Sequence, residues 1–557
     1  MLTTFAGLMG IALLFQAPGQ AALTIPPSVA QMVIVDAAVT GTKGRPITSL
    51  RVEDFELFED GRPVEIVSFQ PPAPASSSGP SSGVSPAAQP DTREAMTLAI
   101  YVDRWLLSSG SRKRALDQAA MLSDLQIARG ARVLVIADDK GLRSLTPLTT
   151  DPAVVRSALD AVQTWQTTSP GGGEARNVMN DIEATIKGVV EMPRLECDCL
   201  CVLPELMAMV RGYASARARE AQAAADRLAF VASAIGPIPG RKALLYVSEG
   251  LEQRPGVHLY DQLGTICPKA LLRDGSSIQA AMGEFETSAP LRAAAARANA
   301  ARVTIYPLDA RGLPSFAGDG LTVDDPAYAP SKRSEMVQNA NLTNPLDLLG
   351  EETGGFALLR GLDPAAAMKR FDAVEQGHYV VGFVPGDADG QIHRLELRLS
   401  RKALAAHKAE IKHRLSYLRS VPSDRRAQRA MSTMAFGLEE NTLGVEAEAE
   451  RTSATTARIR VVLLLKALTA LPGTEEGRVR LVVSFRSVGD DKSAPVVREK
   501  DVGVSLDARE LELEGGVREF VVDIPVGASA HDVVIGVEDV TSGTMSYLKR
   551  LLPPQEM

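Results

Sequence analysis

Leu98-Ala99-Ile100-Tyr101-Val102 is an unbroken apolar run that ends on Asp103. Three similar runs follow it. Val133-Leu134-Val135-Ile136-Ala137 leads into Asp138 and Asp139, Ala243-Leu244-Leu245-Tyr246-Val247 into Ser248-Glu249-Gly250, and Val303-Thr304-Ile305-Tyr306 toward Asp309. Strands that are apolar without alternation are buried on both faces, as in a parallel sheet covered by helices. The stretches between them have helical spacing. Ser111 to Arg129 repeats Ala115, Leu116, Ala119, Leu122 and Leu125. Glu205 to Ile235 carries Leu206, Met209, Val210, Tyr213, Ala224, Leu228, Val231 and Ile235, with Gly236-Pro237 as a stop. These patterns predict an α/β domain over 96–375 with a doubly wound, mostly parallel sheet.

The pattern changes on either side. Val33–Val39, Phe55–Phe58 and Val64–Phe69 read as strands, with Asp60-Gly61 as a hairpin turn. Gln70 to Asp91 holds six prolines and six serines in 22 residues, a linker with no packable face. Downstream, Tyr379–Val384 and Arg394–Leu399 read as a hairpin around Asp387–Gly390, and Lys412–Tyr417 as a further strand. A few strands cannot bury a core alone. The expectation is that 30–69 and 376–420 complete one β-sandwich from which the α/β domain is inserted, with 70–95 as linker. Strand-like runs at Arg458–Leu468, Val479–Ser487, Val502–Leu506, Val517–Ile524 and Asp532–Val537 predict a separate all-β sandwich over 425–557.

The whole chain has 557 residues, a net charge of −8, 45% hydrophobic and only 4% aromatic residues. That composition is globular, and it lacks the basic stripe and stacking rings of a dedicated nucleic-acid binder. Phe5 to Phe15 is too short to span a bilayer and is followed by Gly19 and Ala21 at spacing suited to cleavage. Residues 1–22 therefore read as a signal peptide, and the mature protein as exported, periplasmic or extracellular, with no membrane span. In that compartment the four cysteines, Cys197, Cys199, Cys201 and Cys267, favour a disulfide from the Cys-x-Cys-x-Cys run to Cys267. The partner within the run is not readable, and a three-sulfur metal or redox cluster is the alternative.

Ligands of open parallel sheets bind beyond the carboxyl ends of the strands. Asp103, Asp138, Asp139, Glu249 and Asp309 follow the four runs there. They could hold a hard cation such as Mg²⁺ or Ca²⁺, or serve as turn and cap residues. Gly171-Gly172-Gly173 lacks the Lys-Ser/Thr of a phosphate loop and reads as a flexible loop. Ser248 has no nucleophile-elbow context. Of the six histidines only His258 falls within the α/β region, in what reads as a surface insertion, and the Arg/Ala-rich stretch Ser215–Arg227 reads as a solvated helix face.

Several stretches together resemble the bacterial secreted family called VWFA-related, built on a von Willebrand factor type A-like, Rossmann-like domain. They are Val52-Glu-Asp-Phe-Glu-Leu-Phe-Glu-Asp-Gly-Arg-Pro63 with Ile66–Phe69, Tyr101-Val-Asp103, Gly240-Arg-Lys-Ala-Leu-Leu-Tyr-Val-Ser-Glu-Gly250, Ala296–Gly312 and Glu352-Thr-Gly-Gly355. The resemblance runs from about 30 to 420. It implies protein–protein binding and, in many type A domains, a metal-ion-dependent adhesion site opening with Asp-x-Ser-x-Ser. Here the matching stretch is Asp103-Arg104-Trp105-Leu106-Leu107, with Trp105 and Leu107 in place of the hydroxyl ligands. Ser108 and Ser109 would need a register shift; Thr164, Thr167 and Thr168 are candidates for a later ligand, and Glu249 stands at the final Asp position. The site reads as degenerate.

Three readings follow. The first is a non-catalytic exported interaction module that binds another protein, with no cofactor. The second is divalent-cation-dependent adhesion through Asp103 and Glu249. The third is a hydrolase, which requires the acidic residues to converge in one crevice.

Overall fold

The computed structural model describes residues 32–41, 44–72, 96–107, 109–138, 141–165, 172–191, 199–238, 240–268, 278–311, 328–358, 364–386, 389–419, 421–471, 473–488, 495–507 and 516–555. The leader segment, Asp139, Cys197, Ser108, Thr167, Thr168 and most of the Pro/Ser-rich linker fall outside them.

A five-stranded sheet forms the centre of the α/β region. Its order is Leu142–Ser144, Arg132–Asp138, Thr97–Val102, Lys242–Ser248, Val303–Asp309. The four long strands are parallel, and the short outer strand is antiparallel to its neighbour. Side chains alternate between two cores. Ala99, Tyr101, Leu134, Ile136, Leu244, Tyr246 and Ile305 meet the helices Cys199–Ile235, Ser288–Ala300 and Tyr328–Glu352. Leu98, Ile100, Val102, Val133, Val135, Leu245 and Val247 meet Ser109–Ile127, Pro152–Thr164 and Pro364–Gln376. Both faces are dry, which is why the strand sequences are apolar throughout. Each fully buried aliphatic side chain contributes about 1.5–3 kcal/mol.

Two four-stranded sheets pack beside this domain. One has the order Glu410–His413, Val33–Thr40, His378–Phe383, Ser68–Gln70; the other Ser416–Leu418, Ile392–Leu399, Phe55–Glu59, Arg62–Val64. Val35, Val39, Phe55, Leu57, Tyr379, Val381, Leu395 and Leu397 fill the space between them. Segments from both sides of the α/β domain thus share one sandwich.

Three local expectations are corrected. His378–Phe383 and Ile392–Leu399 are not a hairpin: they lie in different sheets. The run from Val64 to Phe69 is two strands in two sheets. Lys412–Tyr417 likewise splits into Glu410–His413 and Ser416–Leu418 around Arg414, again in different sheets. In each case closing a two-layer sandwich outweighs continuing a period-two run in one layer. The turn at Asp60-Gly61 does close a hairpin, Phe55–Glu59 with Arg62–Val64, with φ of 49° and 78°, as a two-residue primed turn requires.

The C-terminal region opens with a helix, Pro422–Phe436, rather than a strand, so the expected 425 boundary cuts into an element. A five-stranded and a three-stranded antiparallel sheet follow. Val461, Leu463, Leu481, Val483, Val533 and Ile535 are among the side chains between them. The helix joins this sandwich to the α/β domain. Phe436 packs edge-on to Phe230 at 6.3 Å and belongs to the α/β core. Gly172 and Gly173, expected in a loop, begin the helix Gly172–Glu191. No helix among the described residues is long and apolar enough to cross a membrane.

Candidate functional site

Parallel alignment brings the ends of the four long strands to one edge of the sheet. Asp103 directly follows Thr97–Val102, Asp138 closes its strand, Glu249 follows Ser248, and Asp309 closes the last strand. Leu106 and Leu107, both buried, fold back beneath this edge, and the Glu249 amide donates to the Leu106 carbonyl at 2.9 Å. Leu107, at a position where the resemblance calls for a hydroxyl ligand, is a core residue. The side chains of Trp105 and Ser109 are not among those described.

Asp103 has no exposed surface. Its Oδ2 accepts a 3.0 Å hydrogen bond from the Tyr246 hydroxyl, and Tyr246 stacks on Tyr101 with ring centroids 5.6 Å apart. Its Oδ1 lies 3.5 Å from Arg227 Nη2, while Arg227 Nε lies 3.2 Å from Asp138 Oδ2. One guanidinium therefore bridges two carboxylates from neighbouring strands. Burial pushes the Asp103 carboxyl up to about 6 against the opposing pull of Arg227 and Tyr246. Burial lowers the Arg227 pKa, but Asp103 and the tyrosines more than offset this and hold it above the ordinary arginine value.

The other acids have partners of their own. Glu249 accepts from the Ser111 hydroxyl. Asp309 takes both guanidinium arms of Arg311, at 2.9 and 2.7 Å, together with the Arg311 amide; Arg311 also reaches Thr343. The Arg112 Nη1 donates to the Trp165 carbonyl at 2.7 Å and caps the helix Pro152–Thr164. Arg104 and Arg143 lie 5.6 and 5.2 Å from the Trp165 ring, giving that flank of the edge a cationic rim. Thr164, a candidate ligand, donates to its own helix at Ala161.

The structure thus joins Asp103 to Asp138 through Arg227 and gives Glu249 and Asp309 separate internal partners. Among the described residues, what stands beside Asp103 is a guanidinium and not a set of open oxygen donors. Hard cations take oxygen ligands at about 2.0–2.6 Å, and Mg²⁺ keeps several waters. Here Asp103 Oδ2 accepts from Tyr246, Oδ1 has the Arg227 guanidinium 3.5 Å away as an ion-pair neighbour without a hydrogen bond, and the carboxylate is shut from solvent. No group of three or more His, Cys, Asp or Glu able to hold a metal occurs among the described residues.

Arg227 is the residue that sequence reasoning missed. It sits in the stretch read as a solvated face, yet it is flanked by buried Ala224, Leu228 and Val231. Arg217, from the same stretch, also turns inward, to Glu252 at 3.1 Å and to Glu220. The acids at the strand ends called for a counter-charge, but the sequence did not say which residue would bring it. His258 is corrected as well. It is 3% exposed on the helix Val257–Ile266 and packs edge-on to Tyr213, so it is no surface residue. Cys267 is buried and disulfide-bonded, whereas the side chains of Cys197, Cys199 and Cys201 lie outside the described residues.

No family model matches the chain, and no curated protein does. Among solved structures it is similar to the pilus adhesin SpaC from Lactobacillus rhamnosus GG, open conformation, at 7% identity and a TM-score of 0.24. That match covers 84% of this chain and 53% of the adhesin, so the chain spans about half of the adhesin's length. A likeness at that score carries nothing about fold or function.

Proposed function

We propose that this chain is an exported, non-catalytic protein-interaction module of the VWFA-related kind. The carboxyl edge of its parallel sheet would be the binding face, and the two sandwiches its spacers. The observation behind this reading is the state of the acids at the edge. Asp103 and Asp138 share Arg227, Glu249 takes Ser111, and Asp309 takes Arg311. General acid–base or nucleophilic chemistry needs titratable groups that converge on a substrate position. Groups closed on one another instead make a rigid platform. A pre-ordered platform keeps the entropic cost of association low, which suits protein recognition. The signal-peptide pattern and the resemblance over 30–420 support export and binding in the same direction.

Site-specific photo-crosslinking tests this. A photoreactive residue at Arg143, on the edge, should trap a discrete protein partner in the presence of EDTA. The same residue at Arg458, on the C-terminal sandwich, should not. Trapping only from Arg458, or only with added divalent cation, would remove the proposal.

A further inference from the structure

We infer that Arg227 serves as the built-in cation of this sheet edge, replacing a divalent ion by a guanidinium tethered to the helix Cys199–Ile235. The inference rests on the reading of the edge as an interaction face and deepens it: recognition there would be independent of metal.

The geometry carries the argument. Two carboxylates from adjacent parallel strands, Asp103 and Asp138, are 0% and 4% exposed and face a single guanidinium. Two buried acids placed side by side without a counter-charge repel each other strongly. The fold supplies that charge from a third element. The contacts of 3.5 and 3.2 Å are those of an ion pair, so one guanidinium charge is shared by the two carboxylates. Among the described residues, Leu107 brings no oxygen to this edge and Glu249 accepts from Ser111. A helix-borne arginine cannot dissociate, so the edge keeps its shape in a chelating environment where a metal-held edge would lose it.

The consequence is specific. Removing the guanidinium should leave two carboxylates and a space that water and a small cation can enter. Arg227→Met keeps the apolar stem and deletes the charge. The probe is Mn²⁺ alone, followed by the loss of its free-ion electron paramagnetic resonance signal and by thermal melting. The wild type should bind no Mn²⁺ and show the same melting temperature in EDTA and in 5 mM Mn²⁺. Arg227→Met should melt several degrees lower in EDTA, recover part of that loss in Mn²⁺, and bind about one ion. Arg227→Met combined with Asp103→Asn should lose the Mn²⁺ response. Arg227→Lys should behave like the wild type in EDTA.

Should Arg227→Met fail to fold, the same set remains decisive. Recovery of folding by Mn²⁺, or by the added Asp103→Asn, supports the inference. No recovery by either overturns it. An Arg227→Met protein that folds and ignores Mn²⁺ also overturns it, as does a wild type that binds the ion. Failure here leaves the crosslinking test of the binding face untouched, so the two readings can fall separately.

Discussion

At the residue scale, the edge depends on a few polar side chains in an apolar setting. Tyr246 gives Asp103 the one hydrogen bond that its buried carboxylate receives. Hydrogen bonds to charged groups contribute about 1.5–3 kcal/mol, so Tyr246→Phe should destabilise by about that amount in chemical denaturation at pH 7. A loss near zero would mean that Arg227 alone satisfies the carboxylate. A second residue-scale device lies on the first sandwich, where His393 Nδ1 is 2.8 Å from Asp60 and Nε2 is 3.0 Å from Asp389. Partial burial pulls its pKa down, but the two carboxylate contacts outweigh this and hold it above 6.5. The linked stability is therefore fully present below pH 6.5 and is lost as pH rises through the folded value. His393→Gln should cost about 0.5–1 kcal/mol at pH 6 and less at pH 8; melts at the two pH values would show it, and a pH-independent cost would count against the pair.

At the element scale, register and close approach explain what single residues cannot. The turn Thr353-Gly354-Gly355 ends the helix Tyr328–Glu352 and brings its backbone against the sandwich. Thr353 Oγ1 accepts from the Ile305 amide at 2.9 Å and donates to the Leu349 carbonyl. Gly354 has φ of +81°, and a Cβ there would stand 2.6 Å from the His413 carbonyl carbon. Gly354→Ala should cost about 2–4 kcal/mol, because the left-handed backbone and the clash add. Gly390 has φ of +71° with nothing within 4 Å of its Cβ, so Gly390→Ala should cost only about 1 kcal/mol. Thermal melts of the two variants separate clash from backbone strain; equal losses would argue against the close approach.

At the scale of the whole molecule, the α/β domain is an insertion with close-set ends. Gln70 pairs with Val380 across adjacent antiparallel strands, so the chain leaves the sandwich and returns to it at one place. Polar contacts lock the junction. Arg414 donates from Nη1 to the Asn299 carbonyl at 2.6 Å and from Nη2 to Ile34, and Arg302 and His378 both reach Asp36. A chain with 71–377 replaced by a short Gly/Ser linker should still fold as a β-sandwich, with reduced stability because the Arg414–Asn299 and Arg302–Asp36 contacts and the Ala38 packing are gone. Circular dichroism and a cooperative melt would establish it. An unfolded product would mean that the sandwich depends on its insert.

The strands of the parallel sheet, the long helix, the turn at Asp60-Gly61 and the acids at the strand ends are legible in the chain's local patterns. Each of these is written in a local period or in a residue type that one backbone conformation requires. What the sequence left open were the partners. Nothing in the local pattern of Ser215–Arg227 distinguishes an arginine in water from one between two buried aspartates, and nothing in 378–399 says that successive strands change layer. Those outcomes depend on which distant surfaces meet when the cores close. That Arg227 lies between Asp103 and Asp138 follows from long-range packing, because a buried carboxylate is tolerated only where the fold delivers its counter-charge.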